Sequence, residues 1–95
     1  MVQYRIYTLK PIPYKIKIVK INERLRAVLV DSNEREICHW WLTNADGSVR
    51  YKPFKPAPAI VDELILNKLT PEALEQLTDI MYQVEDGDEI VFYAV

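Results

Sequence analysis

The sequence predicts an α+β fold, in which an antiparallel sheet of about five N-terminal strands carries one or two C-terminal helices and a final strand returns to the sheet. Three observations support it. Strand-like alternation fills the first half, helical spacing of apolar residues begins only after residue 58, and another strand-like segment follows. Grouped strands followed by helices favour α+β over a parallel α/β sheet. The 95 residues suit one compact domain spanning 1–95.

The N-terminal segment, residues 2–9, is typical of a strand. Val2, Tyr4 and Ile6 alternate with Gln3, Arg5 and Tyr7, as a half-buried strand requires. Two prolines, at positions 11 and 13, end the strand because proline has no N–H to donate to a sheet.

Residues 15–21 and 24–31 form a predicted β-hairpin around Asn22-Glu23. Pairing Lys20 with Leu25 puts one apolar set on a common face: Ile16, Ile18, Leu25, Ala27 and Leu29. The opposite face then combines basic and aliphatic side chains: Lys15, Lys17, Arg24 and Arg26 around Val19, Ile21, Val28 and Val30. Both strands agree on this register, as the two-residue period of a strand demands where one face is buried.

Two further strands are predicted over residues 37–43 and 48–52. Asp46-Gly47 lies between them and supplies the positive φ that tight hairpin turns need. The register of this second hairpin is ambiguous by one residue. The sequence therefore leaves open whether Trp40 or Trp41 is the buried tryptophan.

The C-terminal part predicts one or two helices and a last strand. Residues 59–69 have the apolar spacing of a short helix, with a strand over 64–66 as the alternative. Thr70-Pro71-Glu72 is a strong helix start, with a hydroxyl cap, proline in the first turn and a carboxylate. An apolar stripe at three- and four-residue spacing follows: Leu74, Leu77, Ile80, Met81 and Val84. Residues 85–88 end this helix and 89–95 form the final strand.

Composition narrows the class of protein. A single cysteine excludes an internal disulfide and favours a reducing, cytoplasmic location. No apolar run reaches the roughly 18–20 residues of a membrane-spanning helix, so we expect no membrane association. A pI of about 5.3 argues against a dedicated duplex-DNA binder, which usually carries a basic domain.

No pattern of residues predicts catalysis, and we expect no enzyme activity, no cofactor and no metal site. Cys38 and His39 are neighbours on a strand and point to opposite faces, and they are too few for a zinc site. Four carboxylates surround Gly87, but the stretch is too short for a calcium loop. It is interpreted as a solvated turn or a docking site for a basic partner.

The strongest functional signal is a split in charge. Residues 1–56 hold eleven Lys and Arg against five Asp and Glu, whereas residues 57–95 hold one Lys against nine carboxylates. The basic half either forms a binding surface or is neutralised by the acidic half, within the fold or across a dimer. The candidate partner-binding residues combine its cations and aromatic rings: Lys15, Lys17, Arg24, Arg26, Trp40, Trp41 and Tyr51.

Two functions follow as hypotheses. The first is a small non-enzymatic interaction domain, a regulator or adaptor that binds another protein or itself as a homodimer. The alternative is a single-stranded nucleic-acid-binding protein that uses the basic, aromatic-rich N-terminal sheet. A basic groove with stacking aromatic rings is how such sheets bind single strands.

Overall fold

The computed structural model describes residues 1–50, 53–54 and 57–95. Four strands come first: β1 (Gln3–Thr8), β2 (Lys15–Ile21), β3 (Arg24–Val30) and β4 (Glu36–Trp41). Helix α1 (Ala59–Leu64), a 3₁₀ turn (Leu66–Lys68), helix α2 (Pro71–Met81) and strand β5 (Glu89–Ala94) follow. The predicted α+β fold, with a final strand that returns to the sheet, is confirmed.

The strand order in the sheet is β1-β5-β2-β3-β4. β5 enters between β1 and β2, parallel to β1 and antiparallel to β2, and the remaining pairs are antiparallel. The last strand of the chain is therefore an interior strand of the sheet. It joins the N-terminal strand to the β2–β3 hairpin.

The β2–β3 hairpin has the predicted register, with Lys20 opposite Leu25. Asn22 and Glu23 both have positive φ, 50° and 66°, which is the conformation a two-residue hairpin turn of matching twist requires. Ile16, Ile18 and their partners on β3 are buried on one face, as the alternation predicts.

The second predicted hairpin is described as far as Arg50. The described part of the predicted strand over 48–52 forms one isolated bridge, Thr43 with Val49. Its loop is closed locally, because Asp46 Oδ1 accepts hydrogen bonds from both the backbone N (2.9 Å) and the Oγ (2.6 Å) of Ser48. Residues 51 and 52 lie outside the described part of the chain, so the N-terminal strands observed number four.

The helices cover one face of the sheet, here called the inner face. α1 ends at Leu64, earlier than predicted, and the region 64–66 is not a strand. Thr70 caps α2 as predicted, since its Oγ1 accepts a hydrogen bond from the backbone N of Ala73 at 3.2 Å. Leu77 is fully buried, but Leu74 is 37% exposed and lies outside the core that the apolar stripe predicts.

The core lies between these helices and the inner face. It is built from side chains of all five strands, both helices and the segments that join them: Ile6, Ile16, Ile18, Ala27, Leu29, Trp40, Leu42, Phe54, Val61, Ile65, Leu77, Met81 and Ile90. One sheet and one helical layer make up the described domain, and the other face of the sheet carries no helix.

Candidate interaction surface

The uncovered side of the sheet, here called the outer face, is the candidate functional site. Neither helix packs on it, and no other strand does so within residues 1–50, 53–54 and 57–95. Alternation along the five strands places these side chains on it: Gln3, Arg5, Tyr7, Lys15, Lys17, Val19, Ile21, Arg24, Arg26, Val28, Val30, His39, Trp41, Glu89, Val91 and Tyr93.

Aliphatic and basic side chains interleave at the centre of the outer face. Val28 lies opposite Lys17 and Val19 opposite Arg26 across the β2–β3 hairpin. Both valines are half-buried although no helix covers them. Long Lys and Arg side chains cover neighbouring apolar surface with their methylene stems. The centre of the face is therefore mixed, neither an apolar patch nor a bare basic one.

The two tryptophans divide between the faces. Trp40 pairs with Ala27 and is 5% exposed, whereas Trp41 pairs with Arg26 and lies on the outer face. The Trp40 indole Nε1 donates a hydrogen bond to the carbonyl O of Pro53 at 3.2 Å. The structure thus places Trp40 in the core, on the face opposite to Trp41 and the basic residues of the hairpin.

Two arginines rest on Trp41. The guanidinium carbons of Arg24 and Arg26 lie 4.0 and 4.3 Å from the Trp41 ring centroid. Each such contact stabilises by about 0.5–2 kcal/mol. Both Nε atoms are buried without a hydrogen-bond partner, and an unsatisfied buried donor costs about 1–3 kcal/mol. The cluster holds two like charges together and leaves donors unused.

The two lysines of the outer face are neutralised inside the fold. Glu34 forms ion pairs with Lys15 and with Lys17, the latter at 2.5 Å, and Glu89 lies 3.4 Å from Lys15. The hydrogen bond from Lys15, followed by that from Lys17, lowers the pKa of Glu34. In turn the hydrogen bond to Glu34 raises the pKa of Lys15.

The structure brings a further group onto the outer face that the sequence did not single out. Tyr7 lies opposite Tyr93 across the parallel β1–β5 pair, with ring centroids 6.1 Å apart. The guanidinium of Arg5 lies 5.6 Å from the Tyr93 centroid. Both rings are well exposed. Alternation along β1 puts Arg5 and Tyr7 on one face. The sequence did not reveal that Tyr93 lies beside them, because β5 is 86 residues away along the chain.

The predicted site residues therefore divide three ways. Five of them share the outer face: Lys15, Lys17, Arg24, Arg26 and Trp41. Trp40 is in the core, and Tyr51 lies outside the described residues.

The acidic turn before β5 is structural. Asp88 is 4% exposed, and its carboxylate accepts hydrogen bonds from the backbone N of Val2 (2.9 Å) and of Glu85 (2.8 Å). Asp86 Oδ1 accepts another from the backbone N of Lys20 at 2.8 Å. Residues 85–88 thus tie the N-terminus and β2 to the start of β5. Asp88 is buried, so the interpretation as a solvated turn does not hold for its carboxylate, whereas Asp86 is exposed.

Cys38 and His39 point to opposite faces, as the alternation predicts. Cys38 pairs with Leu29 on the inner side, where burial, aided by the charge of Glu36, raises the pKa of the thiol. A raised pKa favours the unreactive thiol over the nucleophilic thiolate at neutral pH. His39 Nδ1 lies 3.0 Å from Glu36 Oε2.

The helical layer holds a cavity of about 440 Å³ beside Phe54, bordered by Leu66, Leu74 and Thr78. Within the described residues, no group of three or more His, Cys, Asp or Glu side chains is placed to hold a metal ion. No helix of that part of the chain is both long and apolar enough to cross a membrane. Comparison with protein-family models, curated proteins and solved structures finds no match.

Proposed function

We propose that this protein is a small non-enzymatic interaction domain, a regulator or adaptor, that binds another protein through the outer face of its sheet. One observation carries the proposal: the helices cover one face of the sheet and leave the other uncovered, with half-buried valines and exposed aromatic rings on it. Aromatic residues and arginine are enriched at protein interfaces. A partner that covers Val19, Val28 and Val91 removes that surface from water.

The basic side chains of the outer face already contact carboxylates or an aromatic ring, which favours a protein partner over a nucleic acid. Lys15 and Lys17 already pair with carboxylates, so a phosphate contact would have to displace Glu34 or Glu89. Arg24 and Arg26 occupy the indole of Trp41, on which a base would otherwise stack. Binding of single strands relies on free basic groups and free aromatic faces together.

A single-stranded nucleic-acid binder is the second candidate function. Tyr7 and Tyr93 favour it, since both rings are exposed beside Arg5 and no carboxylate pairs with Arg5 in the described part of the chain. This end of the outer face offers two aromatic rings, Tyr7 and Tyr93, on which bases could stack. Affinity for mixed oligonucleotides that falls with salt at a slope of about −0.7 per phosphate contacted would support it.

A second copy of the chain is the simplest partner to test. A homodimer through the outer face would cover its centre in both copies by one symmetric contact. Sedimentation at rising concentration distinguishes a monomer from a dimer directly. The single cysteine favours a reducing compartment, and we propose the cytoplasm as the place where such a partner is met.

The proposal is tested by photo-crosslinking in the native host. A photoreactive amino acid replaces Ile21 on the outer face in one variant and Ile60 on α1 in another, because these isoleucines are 37% and 38% exposed. We expect nuclease-resistant protein adducts from position 21 that position 60 does not give. Identical adducts from both positions, or adducts that nuclease removes, would contradict the proposal.

A further inference from the structure

We propose that Arg24, Arg26 and Trp41 form a binding site for a carboxylate on an acidic segment of a foreign partner protein. This inference rests on the proposed function and names the chemistry of the partner. The inference starts from a difference between the lysines and the arginines of the outer face in their ion pairs. Among the described residues, Lys15 and Lys17 on the outer face form ion pairs with carboxylates, and neither Arg24 nor Arg26 does.

The geometry fits a carboxylate. A guanidinium has five N–H donors in a rigid fork that matches the two oxygens of a carboxylate. Arg24 spends one donor on the carbonyl O of Thr43 (3.1 Å), and Arg26 makes no hydrogen bond within the described part of the chain. Trp41 restrains both side chains, so less side-chain entropy is lost when an anion binds. Two guanidiniums on one ring repel each other, and an anion between them removes that repulsion.

The surroundings favour a protein carboxylate over a polyphosphate chain. Glu34, Glu36 and Glu89 lie on or beside the same face, and a long polyanion would meet them. An isolated acidic side chain would meet only the arginine cluster. Val19 and Val28 lie next to this cluster across the hairpin, so the segment that fits is acidic and aliphatic together.

Self-association is a poorer source of the carboxylate. Four exposed acidic side chains lie on the helical layer, away from the outer face: Glu63, Glu72, Glu75 and Asp79. Those beside the outer face, Glu34 and Glu36, already contact Lys15, Lys17 and His39. Placing one of the four helical-layer side chains on the outer face of a second copy would make a head-to-tail contact, which forms open chains of molecules unless its rotation happens to close. A foreign acidic segment satisfies the cluster without that consequence.

The test uses a capped peptide of alternating glutamate and valine, with a glutamine–valine peptide as its matched control. ¹H–¹⁵N spectra of the whole protein follow the Nε–H signals of Arg24 and Arg26 and the indole N–H of Trp41. The indole N–H of Trp40, bonded to Pro53, serves as the internal reference. We expect saturable shifts of the three site signals with the glutamate peptide alone, and weaker binding as salt rises.

Matched variants separate this site from general charge attraction. Arg26→Gln should weaken glutamate-peptide binding about tenfold or more, since a hydrogen bond to a charged group is lost. Lys17→Gln, on the same face but already ion-paired, should change it less than about twofold. Arg26→Lys retains the charge but loses the forked donors, so its loss of peptide affinity should lie between those of Arg26→Gln and Lys17→Gln. This variant keeps the test valid if Arg26→Gln fails to fold.

Several results would overturn the inference. These are equal shifts with both peptides, equal losses for Arg26→Gln and Lys17→Gln, or saturation by a mixed single-stranded oligonucleotide at lower concentration than the glutamate peptide. Shifts of the same signals on concentrating the protein alone would assign the carboxylate to a second copy and also overturn it. Crosslinks from position 21 that persist when the peptide fails to bind would leave the proposed function standing.

Discussion

The two faces of the sheet are built from the same strands and hold the fold in different ways. Along β2, Ile16 and Ile18 are buried beneath the helices, while Val19 and Ile21 point to the uncovered side. The inner face relies on close packing of apolar side chains. The outer face relies on ion pairs and on guanidinium–ring contacts, which salt and competing ligands can displace. Stability is therefore concentrated on one face and exchangeable contacts on the other.

The outer face is itself divided. At one end the turn after β3 places Glu34 against Lys15 and Lys17. That turn is held locally, because Asp31 Oδ1 accepts hydrogen bonds from the backbone N of Asn33 and of Arg35. At the other end Arg24 and Arg26 contact Trp41, and no carboxylate among the described residues pairs with them. A cation that has an internal partner contributes to folding, and one without remains available to a ligand.

Two isoleucines of β2, one on each face of the sheet, test whether the inner face contributes more to stability than the outer face. Ile18→Ala should cost about 2–5 kcal/mol, because it opens a cavity in a closely packed core. Ile21→Ala should cost less than about 1 kcal/mol, as exposed positions usually do. Urea unfolding of both variants beside the wild type measures the difference. Equal losses would mean that the outer face is as covered in solution as the inner one.

A second test compares two carboxylates of the acidic turn. Asp88→Asn should destabilise by about 1.5–3 kcal/mol, since an amide nitrogen cannot accept the hydrogen bond that one carboxylate oxygen now accepts. Asp86→Asn is the matched control, because its exposed carboxylate accepts one backbone bond and water can replace it. Thermal unfolding at neutral pH reports both. A loss for Asp86→Asn as large as that for Asp88→Asn would contradict the buried role of Asp88.

The helix that covers the inner face supplies the third test. Thr70→Ala removes the side-chain cap of α2 and should cost about 1 kcal/mol. Thr78→Ala lies within the same helix and removes a hydroxyl that bonds only the carbonyl O of Leu74, so it should be neutral or slightly stabilising. Chemical unfolding measures both variants: the midpoint of Thr70→Ala should fall below that of the wild type, and the midpoint of Thr78→Ala should stay the same or rise slightly.

Local patterns in the sequence predicted the elements and the faces of this fold. The alternation of residues 15–30 fixed the hairpin register, and Thr70-Pro71-Glu72 fixed the start of α2, because both depend on neighbours in the chain. The described residues of the predicted strand at 48–52 form one bridge, Thr43 with Val49, beside a loop that side-chain bonds of Asp46 close. Such bonds compete with strand pairing and are invisible to an alternation pattern.

The candidate site was predictable only in part, since it depends on pairing between distant segments. The basic residues of the hairpin were identified from alternation, but their partners were not. Glu34 reaches Lys17 through a turn with a left-handed residue, φ 63° at Glu34, that no simple pattern encodes. Which tryptophan is buried depended on the β3–β4 register, with Arg26 opposite Trp41. Tyr7 and Tyr93 meet only because β5 inserts beside β1.

The smallest expected effect lies on the outer face, at Glu34. Its folded-state pKa is lowered by hydrogen bonds from Lys15 and then Lys17, so the ionised form stabilises the fold above the usual carboxyl pKa of about 4.3. That stabilisation is lost as the pH falls through the lowered value. Glu34→Gln should therefore be less stable than the wild type at neutral pH, and the two should converge in acid, below the lowered pKa of Glu34.

At alkaline pH the stability difference between the wild type and Glu34→Gln depends on the charge of Lys15. The pKa of Lys15 is raised by its hydrogen bond to Glu34, so the difference between wild type and Glu34→Gln should persist below the usual lysine value of about 10.4 and fade above it. Glu23→Gln is the matched control, since Glu23 also has a left-handed φ (66°) but pairs with Lys20 alone at 3.2 Å. Urea midpoints across pH measure both variants. A difference for Glu34→Gln that stays constant from neutral pH into acid would show that the glutamate acts through the shape of its turn and not through its charge.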